Sequence, residues 1–227
     1  MRTARLTFAV AALLALPACT GGFSAVVQSM REVLPKSAST DSAALDPRLE
    51  YIRVTRGKQV AMLWRGSVEQ APAGRIDVYY SGLGEVIRVQ NGRIVGALGL
   101  TTEWRGAEVS APSWTAAAGA AEASRVVRTR DVMPGYISGL TEELALRRIA
   151  APSSTALRAV APESLTWFEE RVTQSAGSGS NVLPPARYAV DLSSAGGTVV
   201  YAEQCLATDL CFSWQRWSAA LQQAATR

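Results

Sequence analysis

Apolar and polar residues alternate along much of the chain with the two-residue period of a β-strand. Ile52 and Val54 alternate with Arg53 and Thr55, for example, and similar alternation returns in later segments. Because successive side chains of a strand point to opposite faces, this alternation predicts strands that cover a core with one face. We predict further strands at residues 60–64, 76–80, 87–89, 94–98, 125–130, 144–149, 165–172, 187–192, 198–203 and 212–217.

Turn-forming residues separate these strands at short intervals. Asn91-Gly92 lies between two apolar runs, and this pair favours a type I′ hairpin turn, which needs positive φ at both central positions. Glycines also occur at residues 57, 74, 82, 84 and 106. Many short strands with closely spaced turns are typical of antiparallel barrels and sandwiches. The sequence therefore predicts a mostly β protein, with a single antiparallel β-barrel or sandwich-like domain over residues 46–227.

Several segments depart from the strand pattern. The apolar residues of 23–34 repeat with the period of a helix, which predicts a short N-terminal helix that either docks on the domain or lies on a membrane surface. Residues 37–44 are small and polar, and we expect a linker there. The Ala-rich stretch 114–123 fits either a helix or a loop, and 218–226 can form one or two helical turns. The Gly-Ser stretch 176–180 predicts an exposed loop.

The N-terminus has the features of an export signal. Arg2 and Arg5 precede an apolar run over residues 6–16, which is shorter than the roughly 20 residues needed to span a bilayer. The run ends in Leu16-Pro17-Ala18-Cys19, which resembles the lipobox of bacterial lipoproteins. The alternative is an ordinary cleaved signal followed by a chance cysteine.

The lipobox resemblance implies a signal peptide over residues 1–18 and a mature chain that begins at Cys19, with fatty acyl chains on its thiol and its amine. Residues 19–45 then hold the lipid anchor, the short helix and the linker. More than one acyl chain anchors a protein stably to a membrane. Thr20 follows the cysteine, where lipoproteins kept in the inner membrane often carry Asp. We therefore expect attachment to the bacterial outer membrane, with the domain facing the periplasm.

The two remaining cysteines, Cys205 and Cys211, are expected to form a structural disulfide in an oxidising periplasm. Their Cα atoms would lie about 20 Å apart in an extended chain, whereas a disulfide needs less than about 7 Å. The segment between them must therefore turn, with Thr208-Asp209 as the predicted corner. Two cysteines without histidine are too few for structural zinc, and the spacing differs from the C-x-x-C of a redox pair.

Composition narrows the possible chemistry further. The chain has no histidine, which excludes a Ser-His-Asp triad, a Cys-His pair and a zinc site built on imidazole. Its 23 basic and 19 acidic residues are spread along the chain and give a net charge of +4. Because nucleic-acid binding needs a clustered basic face, we expect no nucleic-acid partner. The sequence also predicts no metal site and no cofactor.

Carboxylate pairs and tryptophans are the remaining candidates for a site. Glu142-Glu143 and Glu169-Glu170 are adjacent in sequence, so each pair points to opposite faces of a strand and forms no catalytic dyad by itself. Most of the six tryptophans are expected in the core. Trp104 and Trp114 are the exceptions, because their neighbours look like loop, and we predict that they contact a glycan or a partner. We assign no catalytic residue.

Two groups of segments form a recognisable pattern. The first group comprises residues 60–64, 77–81, 85–95 and 98–100, and it includes the hairpin sequence Asn91-Gly92-Arg93-Ile94-Val95. The second group comprises Arg187-Tyr188-Ala189-Val190-Asp191, Gly197, Val199-Val200 and Glu203-Gln204. In this order, behind a lipobox, they resemble the YjbF family of lipoproteins, also called group 4 capsule polysaccharide lipoproteins or GfcB.

This resemblance implies a β-barrel-like domain with a non-catalytic role in exopolysaccharide or capsule production or secretion. Members of the family act beside an outer-membrane β-barrel protein and periplasmic partners. We therefore expect the protein to bind the membrane through its lipid, and to bind either such protein partners or a polysaccharide. Arg93 and Asp191 are either buried structural groups or contact points. The alternatives are a general envelope lipoprotein that carries lipid or assembles outer-membrane proteins, and an enzyme that acts on glycan.

Overall fold

The alternating segments pair into an antiparallel sheet that closes on itself. The computed structural model describes residues 45–176 and 182–225. Its strands are β1 (Tyr51–Arg56), β2 (Gln59–Ala71), β3 (Gly74–Tyr80), β4 (Val86–Gln90), β5 (Arg93–Leu98), β6 (Glu103–Ser110), β7 (Ser124–Met133), β8 (Ile137–Ile149), β9 (Thr166–Ser175), β10 (Ala186–Asp191), β11 (Thr198–Ala207) and β12 (Leu210–Trp217). Each strand pairs with its sequence neighbours, and β12 pairs with β1. The predicted mostly β fold is confirmed, in its barrel form.

Short helices occupy two of the segments that depart from the strand pattern. Helix α1 (Trp114–Gly119) follows Ser113, whose hydroxyl accepts a hydrogen bond from the Ala116 N–H at 3.2 Å. This N-cap satisfies one of the free N–H groups of the first helical turn. Helix α2 (Ala219–Ala225) confirms the helical turns predicted at the C-terminus. The predicted export signal, Cys19, the N-terminal helix and the linker lie outside the described residues.

Two predicted turns are confirmed. Asn91 and Gly92 join β4 to β5 with φ values of 49° and 81°. A Cβ on Gly92 would lie 2.1 Å from Cγ2 of Val199, so the position has no room for a side chain. Thr208-Asp209 joins β11 to β12, and the Cys205–Cys211 disulfide bridges facing residues of this hairpin.

The up-and-down strand order divides the connections between the two ends of the barrel. β1 begins and β12 ends at the same end, which we call the N-terminal end. Because each strand reverses the direction of the one before it, the connections from even-numbered to odd-numbered strands also lie there. They are residues 72–73, 91–92, 111–123, 150–165 and 192–197. The N-terminal end therefore carries α1 and the two longest connections.

The longest of these connections packs on the outside of the barrel. Residues 150–165 include a 3₁₀ helix at Pro162–Ser164 and pack beside the outward-facing rings of Trp167 and Tyr201. The Gln215 side chain accepts a hydrogen bond from the Arg158 N–H at 2.9 Å and donates one to the Arg158 carbonyl oxygen at 2.8 Å. This segment therefore buries an apolar cluster on the outer face of the sheet.

The ladder of the barrel wall is shortest between β5 and β6. A single register pair, Ala97 opposite Trp104, joins these two strands. By contrast, β4 and β5 share five register pairs, and β6 and β7 share seven. We call this part of the wall the β5–β6 seam. There the Ile94 N–H donates a hydrogen bond to Oε1 of Gln204 at 3.1 Å, which brings a β11 side chain to the seam.

We expect the disulfide to stabilise the β11–β12 hairpin. Replacing both Cys205 and Cys211 with Ala should lower the free energy of unfolding by about 2 kcal/mol, because the open chain regains the conformational freedom that a short covalent loop removes. Urea unfolding followed by tryptophan fluorescence measures the difference. A double variant that is as stable as the oxidised wild type contradicts this expectation.

Candidate functional site

Charged side chains lie inside the barrel, at positions where the strand alternation favours apolar residues. Arg128 and Arg130 of β7 alternate with outward-facing residues and are buried on the inner face. Glu142 of β8 and Glu170 of β9 are also buried, with exposed fractions of 1% and 2%. A buried charge is costly unless it is paired and hydrogen-bonded. These four side chains therefore require partners within the barrel.

The first group of partners, which we call the Glu142 cluster, consists of Glu142, Arg128, Arg130 and Trp104. Arg130 binds the carboxylate through Nε and Nη2, with both hydrogen bonds at 2.9 Å, and Arg128 donates from Nε at 2.8 Å. The Trp104 ring centroid lies 5.0 and 4.9 Å from the two guanidinium carbons. The Trp104 Nε1 donates to the Leu206 carbonyl oxygen at 3.0 Å, which fixes the ring across the barrel.

The two arginines keep the Glu142 carboxylate ionised. Burial raises the pKa of Glu142, but the hydrogen bond from Arg130 and the charges of Arg128 and Arg130 outweigh it, so the pKa lies below its usual value of 4.5. A general acid in glycoside hydrolysis needs the opposite, a raised pKa. This environment therefore favours an ion pair over a proton donor.

The second group, which we call the Arg93 cluster, consists of Arg93, Glu170, Tyr188, Gln204 and Trp114. Nε of Arg93 donates to Oε2 of Glu170 at 2.8 Å. The guanidinium carbon lies 4.2 Å from the Trp114 ring centroid and 5.5 Å from that of Tyr188. The Tyr188 hydroxyl lies 3.4 Å from Oε1 of Glu170 and 3.3 Å from Oε1 of Gln204. Burial and the charge of Glu170 raise the pKa of Tyr188, so its hydroxyl stays protonated.

Most of the N–H groups of Arg93 form no hydrogen bond to the described part of the chain. A guanidinium carries five N–H groups, and the bond from Nε to Glu170 is the one that it makes to the described part of the chain. Nη2 is buried and has no partner among those residues. The whole Arg93 residue is only 5% exposed. Buried donors in proteins are nearly always satisfied by protein, water or a ligand.

Arg93 forms part of the wall of a cleft at the N-terminal end of the barrel, which we call the end cleft. This cleft has a volume of about 420 Å³. It lies at the seam, between the turn at residues 91–92, the end of β6 and the start of α1, and it also touches the β10–β11 connection at residues 195–197. The side chains of Gln90, Asn91 and Ser110 contribute polar groups to its lining.

Trp114 is fixed in the wall of the end cleft by contacts from two connections. Its backbone N–H donates to the Gly196 carbonyl oxygen at 3.1 Å, and its Nε1 donates to the Asn91 carbonyl oxygen at 3.0 Å. A Cβ on Gly197 would lie 2.8 Å from Cβ of Trp114, so a glycine is needed for this close approach. The ring that covers Arg93 therefore has a defined position.

The structure moves the predicted contact residues from the surface to the interior. The loop position predicted for Trp104 is wrong: it lies in β6, is 2% exposed and has no ring face free for a glycan or a partner. Trp114 follows the predicted loop at Pro112-Ser113 and is the first residue of α1, one of the two forms predicted for 114–123, but it is only 3% exposed. Both rings are buried because each stacks on arginines inside the barrel. Trp114 and Arg93 still border the end cleft, and ligand contact there stays a prediction.

The adjacent carboxylates point to opposite faces, as predicted. Glu143 pairs with the exposed Arg125 on the outside, whereas Glu142 faces inward. Glu169 pairs with Arg147 at 2.9 Å on the outside, whereas Glu170 belongs to the Arg93 cluster.

Sequence reasoning missed the interior ion pairs. Arg128, Arg130, Glu142 and Glu170 occupy inward positions of predicted strands or of their extensions, and Arg93 directly follows the Asn91-Gly92 turn. The signal in the sequence was a charged residue with an apolar residue two positions before or after it, on the same face of the strand. That signal identifies a polar group facing a core, but it does not identify the partner.

The described part of the chain shows neither a cluster suited to a metal ion nor a helix suited to spanning a membrane. In that part, no cluster of three or more His, Cys, Asp or Glu side chains has an arrangement suited to a metal ion. None of the helices there combines the length and the apolar character required to cross a membrane.

We expect the Glu142 cluster to be essential for stability. Glu142→Gln should lower the free energy of unfolding by about 3–5 kcal/mol, because it leaves Arg128 and Arg130 buried without their anion. Glu143→Gln, one residue away on the outer face, is the matched control and should change stability little. Thermal or urea unfolding at pH 7 compares the two variants. Equal effects would mean that the interior ion pair contributes no more than the exposed one.

The same pair gives a pH dependence. Because the pKa of folded Glu142 lies below its usual value of 4.5, ionisation of this group stabilises the fold above that pH. This contribution is lost as the pH falls through the lowered pKa. We therefore expect the stability difference between wild type and Glu142→Gln to narrow below pH 4.5 in parallel urea titrations. A difference that stays constant down to acid unfolding contradicts the assignment.

No known protein-family model and no curated protein sequence matches this chain. Among solved structures, the fold is similar to the crystal structure of the hypothetical lipoprotein YmcC from Escherichia coli K12. The two structures align with a TM-score of 0.54 and 12% sequence identity, over 88% of this chain and 97% of that chain. At this identity the similarity shows the fold alone: the chain folds into the same kind of barrel as this lipoprotein.

Proposed function

We propose that this protein is a lipoprotein of the bacterial outer membrane with a non-catalytic role in the production or secretion of an exopolysaccharide or capsule. It acts by binding a partner protein or the glycan. The observation that carries the proposal is that the two groups of segments resembling the YjbF family converge in space. Arg93 comes from the first group, and Tyr188 and Gln204 come from the second. All three belong to the Arg93 cluster beside the end cleft.

Anchoring is supported by two independent features. The sequence Leu16-Pro17-Ala18-Cys19 resembles a lipobox, and the barrel is similar to that of a hypothetical lipoprotein. Lipid attachment confines a protein to one surface and so raises its effective concentration toward partners in the same membrane. A small barrel gains function from such confinement when its task is to hold a glycan or a protein near a secretion apparatus.

Two features of the barrel interior support this binding role. The cavity among Ile94, Trp104 and Leu144 has a volume of about 10 Å³, which is room for about one water molecule and not for the acyl chain that a lipid carrier holds there. A glycan-cleaving enzyme needs two free carboxylates in a cleft. Glu142 and Glu170 are both paired with buried arginines instead.

We expect Cys19→Ser to release the protein from the membrane. Without the thiol there is no acylation site, so the variant should move from the detergent-dependent membrane fraction to the soluble periplasmic fraction. The Cys205→Ala/Cys211→Ala variant is the control, because it removes cysteines without removing the anchor. Continued membrane fractionation of Cys19→Ser would overturn the anchor.

The role in secretion has its own test. A strain that lacks this protein should release less exopolysaccharide or carry less capsule, measured as surface and secreted polysaccharide per cell. The wild-type chain should restore the amount, and Cys19→Ser should restore less of it at equal protein level. Unchanged polysaccharide in the deletion strain would contradict the proposed function.

A further inference from the structure

The end cleft holds a buried cation whose hydrogen-bonding capacity is mostly unused. Arg93 is 5% exposed, yet of its five N–H groups only the one on Nε bonds to the described part of the chain. Nη2 has no partner there, although it is buried. Trp114 and Tyr188 stack on the guanidinium and hold its plane, while Glu170 takes one edge. Nη1 and Nη2, which we call the free edge, make no hydrogen bond to the described part of the chain, and Arg93 lines the end cleft.

The two buried clusters together carry one excess positive charge. Arg93 is matched by Glu170, whereas Arg128 and Arg130 share the single carboxylate of Glu142. The surplus therefore lies in the Glu142 cluster, and no second carboxylate of the Arg93 cluster competes for Arg93. A planar guanidinium with two adjacent free N–H groups matches a carboxylate in a two-point arrangement.

The rest of the end cleft has the character of a sugar site. Its volume of about 420 Å³ falls within the roughly 300–1,000 Å³ of small-ligand pockets. Gln90 and Asn91 use their amide nitrogens on the carbonyl oxygens of Gly74 and Ala73, which leaves their amide oxygens as acceptors for ligand hydroxyls. Ser110 adds a hydroxyl to the lining.

We propose that the end cleft binds an acidic sugar residue, with the sugar carboxylate on the free edge of Arg93 and the sugar hydroxyls on Gln90, Asn91 and Ser110. The choice of a sugar as the carrier of the carboxylate rests on the proposed function. The free edge of Arg93 and the excess charge do not, because they follow from the geometry alone.

The test uses purified protein and defined monosaccharides. Methyl β-D-glucuronide is titrated by calorimetry, beside methyl β-D-glucoside, acetate and inorganic phosphate. A charge-assisted hydrogen bond to Arg93 should make the glucuronide bind at least about tenfold more tightly than the neutral glucoside. Contacts to the ring hydroxyls should also make it bind more tightly than acetate and phosphate. The NMR signal of the Trp114 indole N–H, next to Arg93, should shift with the same affinity.

Variants locate the site. Arg93→Met removes the guanidinium but leaves Glu170 buried without its partner, so it can fail to fold. Ala111→Glu keeps Arg93 and places a competing carboxylate on the exposed rim of the end cleft. It should abolish glucuronide binding, while Ala111→Gln, of similar size to Glu and without charge, should retain it. Both Ala111 variants should unfold at wild-type urea concentrations.

Three outcomes overturn the inference: no glucuronide binding, equal binding of glucuronide and acetate, or binding that Ala111→Glu leaves intact. The first means that water satisfies Arg93, and the second means a simple anion site. The third places the ligand elsewhere. None of these results bears on the exopolysaccharide phenotype of the deletion strain. Failure of the sugar site and failure of the proposed function can therefore be told apart.

Discussion

The lumen of a closed twelve-stranded barrel has to be filled, and this requirement determines the interior of the protein. A barrel of about eight strands is just wide enough for ordinary side chains to fill, so a larger one needs longer residues. Here Trp104, Trp114, Phe168 and Trp214 belong to one continuous core. Arginines extend from the strands and stack on two of these rings. Aromatic rings and guanidinium groups thus occupy space that shorter aliphatic side chains would leave empty.

The arginines in the lumen determine which strands are linked to each other across it. A buried guanidinium is costly unless an anion is close by, and Arg93 of β5 is linked in this way to Glu170 of β9, 77 residues away in sequence. Trp104 in turn donates to Leu206, 102 residues away. A one-residue slip of β7 would turn Arg128 and Arg130 outward and leave Glu142 unpaired. The ion pairs therefore help to specify register as well as occupying volume.

Local features of this fold could be predicted from the sequence, and contacts across the lumen could not. Two-residue alternation located the strands, and the turns at Asn91-Gly92 and Thr208-Asp209 followed from backbone preference and from the reach of a disulfide. Trp104 was misplaced because the adjacent Arg105 and Gly106 resemble loop, although they continue β6 past a bulge. The choice of barrel over sandwich depends on β1 meeting β12, a contact between chain ends that no local pattern encodes.

The β5–β6 seam and the end cleft share the residue that links β5 to the opposite wall, Arg93. β5 shares one register pair with β6, and it is also held from across the lumen, by Glu170 on Arg93 and by Gln204 on the Ile94 N–H. A ligand that engages Arg93 therefore contacts the side chain that ties this strand to the opposite wall. Because anything that binds only the folded state stabilises it by mass action, occupancy of the end cleft and integrity of the seam are thermodynamically coupled. The cleft and the part of the wall with the shortest ladder thus share Arg93.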